Sequence, residues 1–131
     1  MLFNKKKKRE KYLSDRQARI DQLDIEQLKS EPFVLKPSER LPMLNQISVY
    51  GEVVSGMYQY GDPIGMTSKE QVIHSKDFEM RIPGMNIGNE ELGTIYKGDV
   101  VEFIFTDVMA KLIDEDSDVV AEPWKEIHKG E

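Results

Sequence analysis

Gln46-Ile47-Ser48-Val49-Tyr50-Gly51-Glu52-Val53-Val54-Ser55-Gly56-Met57 decides the fold class. Ile47, Val49, Val53 and Met57 alternate with Ser48, Tyr50 and Glu52, which is the period of a strand with one buried and one wet face. Gly51 and Gly56 interrupt it, and glycine within a strand marks a bulge, a sharp bend or a close backbone approach. This strand is therefore expected to curl. The same texture runs on toward the C-terminus. Gly61-Asp62-Pro63 is a turn cluster, followed by a short run at Ile64 to Met66 and a polar break at Thr67 to Glu70. Val72 to His74 and Phe78 to Ile82 read as two further strands; in the second, Phe78, Met80 and Ile82 face one way while Glu79 and Arg81 face the other. Pro83-Gly84 ends it, and Met85 to Gly93 reads as a loop with apolar Met85, Ile87 and Leu92. Gly98-Asp99 turns into Val100 to Phe105, apolar except for Glu102 and so expected to be central, and Val119-Val120-Ala121 is a last short strand closed by Pro123. Short strands around one small core are best satisfied by closure, which leaves no unpaired edge. The expected fold is mainly β, a small closed β-barrel of about six to seven strands. OB-type and SH3-like strand orders both fit the pattern.

Working outward to the N-terminal side, Pro32, Pro37 and Pro42 forbid a regular helix and imply an extended lead-in with edge-strand character, in which Phe33, Val34 and Leu35 cover one end of the core. Before it, Ser14 with Gln17 three residues on is a capping-box pattern, so a helix is expected to start at Ser14 and to end by Pro32. Ala18, Ile20, Leu23 and Leu28 are its apolar stripe, expected to pack on the protein's own body. Residues 1–13 hold six Lys/Arg and one Glu, leaving twelve basic and twenty-three acidic residues beyond them. The expected organisation is a basic flexible tail at 1–13, a helical extension at 14–31, the barrel at 32–123 and a C-terminal tail at 124–131, with Trp124 as a lid over the barrel end.

Composition narrows the chemistry. The chain has 131 residues, about one domain's worth, and no cysteine, which excludes disulfides, thiolate metal sites and cysteine nucleophiles. Two histidines leave almost no room for a His-rich metal site. No apolar run approaches the roughly 20 residues of a membrane span, and no apolar stretch of signal-peptide type follows the basic start, so a cytoplasmic location is expected.

The stretch from Pro32 to Pro123 resembles domain II of the translational GTPases, the β-barrel that follows the nucleotide-binding domain in elongation factor Tu and its relatives. Glu31-Pro32-Phe33-Val34-Leu35 is similar to the family's Lys-Pro-Phe lead-in, and Gly51-Glu52-Val53-Val54-Ser55-Gly56 to its Gly-x-Val-x-(Ser/Thr)-Gly strand. Gly61-Asp62 and Gly98-Asp99-Val100-Val101 are similar to its two Gly-Asp turns, and Val119-Val120-Ala121-Glu122-Pro123 to its closing Val-Leu-Ala-x-Pro. Tyr58 and Tyr60 depart from the family, standing where aliphatic residues are usual. The sequence contains no Gly-x-x-x-x-Gly-Lys-(Ser/Thr) phosphate loop, so GTP hydrolysis does not carry over. The resemblance implies a contact module of the kind that touches a neighbouring domain, tRNA or the ribosome.

Among candidate reactive groups, Asp114, Glu115, Asp116 and Asp118 lack the central Gly of a calcium loop and read as a solvated acidic loop. His74 in a strand and His128 in the tail have no cysteine and no Ser-centred nucleophile turn to partner them. No catalytic residue, cofactor site or metal site is assigned. Lys5, Lys6, Lys7, Lys8, Arg9 and Lys11 are the candidate anion or nucleic-acid contact, by which the tail would reach phosphate or, as a weaker alternative, an anionic membrane. Tyr50, Tyr58 and Tyr60 are the candidate surface contact; the net negative body opposes stacking on nucleic acid there and points to a protein contact. The expectation is a non-enzymatic binding module that docks on a protein partner, with an RNA- or ribosome-associated factor using the basic tail as the alternative. No small-molecule substrate is evident.

Overall fold

A computed structural model of the chain describes residues 2–69, 71–85, 87–108 and 113–131, with side chains from Lys6 onward apart from Glu90. Helix α1 runs Leu2–Ile20 and helix α2 Ile25–Ser30. Strands β1 Phe33–Pro42, β2 Ile47–Ser55, β3 Met57–Gln59, β4 Ile64–Ser68, β5 Gln71–Ser75 and β6 Phe78–Arg81 follow. The short helix α3 Asn89–Leu92, strands β7 Thr94–Tyr96, β8 Val100–Phe105 and β9 Val119–Ala121, and helix α4 Trp124–Ile127 complete the described elements.

Seven strands form one antiparallel sheet in the order β5-β4-β9-β1-β2-β8-β6, and β3 pairs with β7 in a second, two-stranded sheet. The fold is mainly β, as its texture implies, but the barrel is not closed. The edge strands β5 and β6 are consecutive in the chain, so the curled sheet brings its ends together at Lys76-Asp77 without pairing them. Asp107 fixes this corner: its carboxylate accepts from Ser75 Oγ at 2.6 Å, Lys76 N at 2.7 Å and Asp77 N at 3.2 Å. Burial alone would raise the Asp107 carboxyl; these donors outweigh it and hold the group below the usual carboxylate range.

Curling originates in β2. Opposite Gly51 the register of β1 slips between Pro37 and Glu39, a bulge that leaves Ser38 extra. A Cβ on Gly51 would overlap the Lys36 carbonyl oxygen and sit 2.6 Å from Pro37 Cα, so only glycine lets the strands cross this closely. Inside lie Phe33, Leu35, Val49, Val53, Met66, Met80, Val101 and Phe103, all fully buried. Val100 to Phe105 alternates half-buried and buried residues and lies between β2 and β6, an interior strand as expected. The lead-in at 32–42, expected at an edge, is also interior over Phe33–Leu35, where β1 pairs with both β2 and β9.

The N-terminal expectation needs correction. α1 is continuous from Leu2 through Ser14, so the capping-box pattern at Ser14 does not start a helix and the basic 1–13 stretch is helical from Leu2. The physical reason is that no Gly or Pro interrupts residues 1–30, and the face that docks spans both halves. Arg9, Tyr12, Leu13, Arg16 and Ile20 recur at helical spacing on that face. Ala18 is exposed, while Leu28 belongs to α2, whose actual cap is Asp24 accepting from Gln27 N at 3.2 Å.

Docking is electrostatic as much as apolar. The Asp99 side chain, fully buried, accepts from Arg16 Nε at 3.0 Å and Nη2 at 2.9 Å, from Tyr96 N at 2.8 Å, and from Arg19. Arg16 Nη2 also donates to the Thr94 carbonyl at 2.7 Å, Arg19 Nη1 to that of Lys97 at 2.7 Å, and Arg9 pairs with Glu91. The Gly98-Asp99 turn is thus the anchor on which α1 is clamped.

Candidate functional site

The residues singled out as a surface patch do not come together. Tyr58 is 1% exposed, a core residue packed in tilted and edge-on contacts among Phe33, Phe78 and Phe103, with its hydroxyl donating to the Asp62 carbonyl at 2.7 Å. Its place in a surface contact is therefore withdrawn. The chain kinks at Gly56, where φ is +72°, and this resets the alternation that would have turned Tyr58 outward. Tyr50 is half-buried on β2 opposite Glu102, and Tyr60 is exposed at the turn after β3, edge-on to Phe78 at 5.9 Å.

The basic cluster is likewise dispersed. The Lys5 side chain lies outside the described residues. Lys6, Lys7 and Lys8 are exposed, but successive helical positions fan them around α1 by about 100° each. Arg9 is held by Glu91, and Lys11 Nζ lies 2.8 Å from Asp15 Oδ2. This is not one phosphate-tracking face.

A cleft of about 570 Å³ opens between the turn at Tyr60–Ile64 and the corner at His74–Phe78, where a closed barrel would have none. Of the two carboxylates that line it, Asp62 and Asp77, Asp62 already pairs with His128. His128 Nε2 lies 2.8 Å from Asp62 Oδ2, its Nδ1 meets Glu131, and its ring stacks on Trp124 at 4.3 Å. Trp124 in turn carries Lys29 Nζ at 4.9 Å and donates from Nε1 to Gln59 Oε1 at 3.1 Å. Residues 124–128 are therefore a latch joining α2, β3 and the cleft wall. The Asp62 hydrogen bond, aided by Glu131 and opposed by partial burial, raises the His128 pKa above its ordinary 6.5.

A raised histidine pKa stabilises the fold fully below about pH 6.5, and that contribution is lost as pH rises through the folded-state value. Unfolding followed by denaturant should show the protein more stable at pH 6 than at pH 9, with the difference reduced in His128→Gln. An H128Q profile superimposable on wild type would refute the latch.

Within the acidic loop, Asp114 Oδ1 accepts from Asp116 N at 2.9 Å and from Ser117 Oγ at 3.2 Å, a local turn rather than a convergent ligand set. Among the described residues no group of three His, Asp or Glu is placed to hold a metal, and no buried side-chain N or O lacks a partner. No helix of the described residues is long and apolar enough to cross a membrane.

The feature that sequence reasoning missed is the tip of the β1–β2 hairpin. β9 covers β1 only as far as Leu35, so beyond Pro37 the ribbon is paired on one side alone. It closes with Met43 N donating to Gln46 O at 2.8 Å. There Leu41 is 52%, Met43 45% and Leu44 97% exposed, three of the five exposed large apolar side chains identified among the described residues. Arg40, through Nε and Nη2, holds the Ser117 carbonyl at 3.0 and 2.7 Å, which sets exposed Asp114, Glu115 and Asp116 beside the ribbon. The available signal was Leu41-Pro42-Met43-Leu44 itself, apolar residues around a proline with no periodic partner. No protein-family model matches the chain, and no curated protein matches it at a significant level.

Proposed function

We propose that this chain is a non-enzymatic binding module, a unit of the translational GTPase domain II kind, which docks on a protein partner by inserting Leu41, Met43 and Leu44 into an apolar depression. The observation that carries this reading is the exposure of those three side chains at one hairpin end, since clustered exposed apolar residues mark contact sites whereas scattered ones do not. The hairpin end, whose β2 is paired to β8 as far as Ile47, presents them rigidly, which limits the ordering entropy of binding. The glycine at 51 and the Gly98-Asp99 turn, both needed by the curled sheet, support the family resemblance. Asp114, Glu115 and Asp116 beside the ribbon favour a partner with a basic rim and oppose nucleic acid at this end.

The test is in-cell photo-crosslinking from a benzoylphenylalanine at position 44, with position 79 on the exposed side of β6 as control. A discrete protein adduct from 44, absent from 79 and lost on Met43→Asp, is the expected result. Equal labelling from both positions, or none from 44, would overturn the assignment.

A further inference from the structure

Met43 stands apart from the other methionines whose side chains are described. Met57, Met66 and Met80 are buried and Met85 is partly buried against the core, whereas Met43 is 45% exposed at the hairpin end. The chain has no cysteine, so thioethers are its only sulfur nucleophiles, and their reactivity toward an oxidant follows exposure. The Met43 sulfur also has a polar neighbour. Gln46 Nε2 donates to Met43 Sδ at 3.8 Å, across the turn that Met43 N closes on Gln46 O at 2.8 Å. A thioether accepts a hydrogen bond only weakly. An oxygen carried on that sulfur would accept strongly, so the same amide is placed to favour the oxidised side chain.

Taking the hairpin end as the docking surface, we propose that Met43 is a modification site, oxidised by peroxide to the sulfoxide, and that this oxidation switches docking off. A sulfur lone pair attacks one oxygen of hydrogen peroxide; the S–O bond forms as the O–O bond breaks, and hydroxide leaves. Hydroxide then takes the proton of the transferred hydroxyl, giving the sulfoxide and water. Sulfur loses two electrons and the peroxide gains them. The product sets a polar S=O group beside Leu41 and Leu44, on a patch that has to be desolvated to enter an apolar depression. Burying such a group without full hydrogen bonding opposes the contact. Of the three docking side chains only Met43 offers this chemistry, and only its change is reversible. Thiol-dependent reductases return a sulfoxide to the thioether, the oxygen leaving as water and two thiols ending as a disulfide.

The test treats the purified full chain with graded hydrogen peroxide, removes the peroxide and maps the methionines by peptide mass spectrometry. Met43 is expected to gain one oxygen at least about tenfold faster than Met66 and Met80, with circular dichroism unchanged because those buried thioethers are spared. The same treatment is applied to the chain carrying benzoylphenylalanine at position 45, which is then illuminated in untreated cell lysate. Its protein adduct should fall in step with the Met43 sulfoxide fraction, to about a fifth or less at full oxidation. Methionine sulfoxide reductases of both epimer specificities, with a thiol reductant, should restore it. In Met43→Leu the adduct, at its own starting yield, should not respond to peroxide; if M43L docks too weakly to read, the dose relation and the restoration decide. Met43 oxidising no faster than Met66 and Met80, an adduct that survives complete Met43 oxidation, or an equal response in M43L would overturn the switch and leave the docking reading standing. No adduct from the untreated chain would overturn the docking reading, and the switch with it.

Discussion

Replacing Asp99 with alanine is expected to lower the unfolding free energy by about 3–5 kcal/mol, the usual cost of breaking a buried ion pair from one side. The Asp99 side chain has no exposure and Arg16 has 10%, so the variant strands a guanidinium in a dry site and also removes the acceptor of Tyr96 N. Arg16→Ala should come close to the same loss, because it also frees the Thr94 carbonyl. Arg19→Ala should cost less, since Arg19 is 36% exposed and water can replace it. Denaturant unfolding monitored by Trp124 fluorescence and by far-UV circular dichroism measures the series. A loss under about 1 kcal/mol for D99A would mean that α1 is not clamped. Removal of residues 1–30 is consequently a poor probe of partner binding, because it deletes both arginines that neutralise Asp99.

Gly51→Ala carries the second large effect, about 1–3 kcal/mol of destabilisation from overpacking. The added methyl would collide with backbone, the Lys36 carbonyl and Pro37 Cα, rather than with a side chain able to rotate away. Relief requires β1 and β2 to separate at the bulge, so the loss should be accompanied by faster amide exchange along Phe33–Leu35 and Val49–Val53. Unchanged stability in G51A would show that the strands do not cross where Gly51 places them. Gly61→Ala is the informative comparison: a Cβ there meets nothing, and only its φ of +101° resists the change.

These two positions also show what could be read from the chain. Gly51 was legible as a bulge, bend or close approach because a glycine inside an alternating strand has few other uses, and Val100 to Phe105 was legible as central because it is apolar except for Glu102. Asp99 was legible only as a turn. Its burial depends on Arg16, 83 positions away, and no local pattern encodes that distance. Thr94–Tyr96 escaped notice because three residues with one core side chain, Ile95, carry no periodicity. Closure was expected because strands avoid free edges, yet the sequence pattern records each strand and not the gap between the edge strands β5 and β6. Here the corner at Lys76-Asp77 joins the edges and leaves a cleft. The apolar tip was overlooked for a related reason: Leu41 and Met43 resemble core residues until it is known that β9 ends its pairing at Leu35.

If Leu41, Met43 and Leu44 serve a partner rather than the fold, the triple variant L41S/M43S/L44S shows it most directly. Its unfolding free energy should stay within about 0.5 kcal/mol of wild type, as for surface changes, while the protein adduct that a benzoylphenylalanine at position 45, next to the patch, forms in the otherwise wild-type chain disappears. A loss of several kcal/mol would place these side chains in the core, and a stable variant that keeps its adduct would show the partner docking elsewhere; either result contradicts the account.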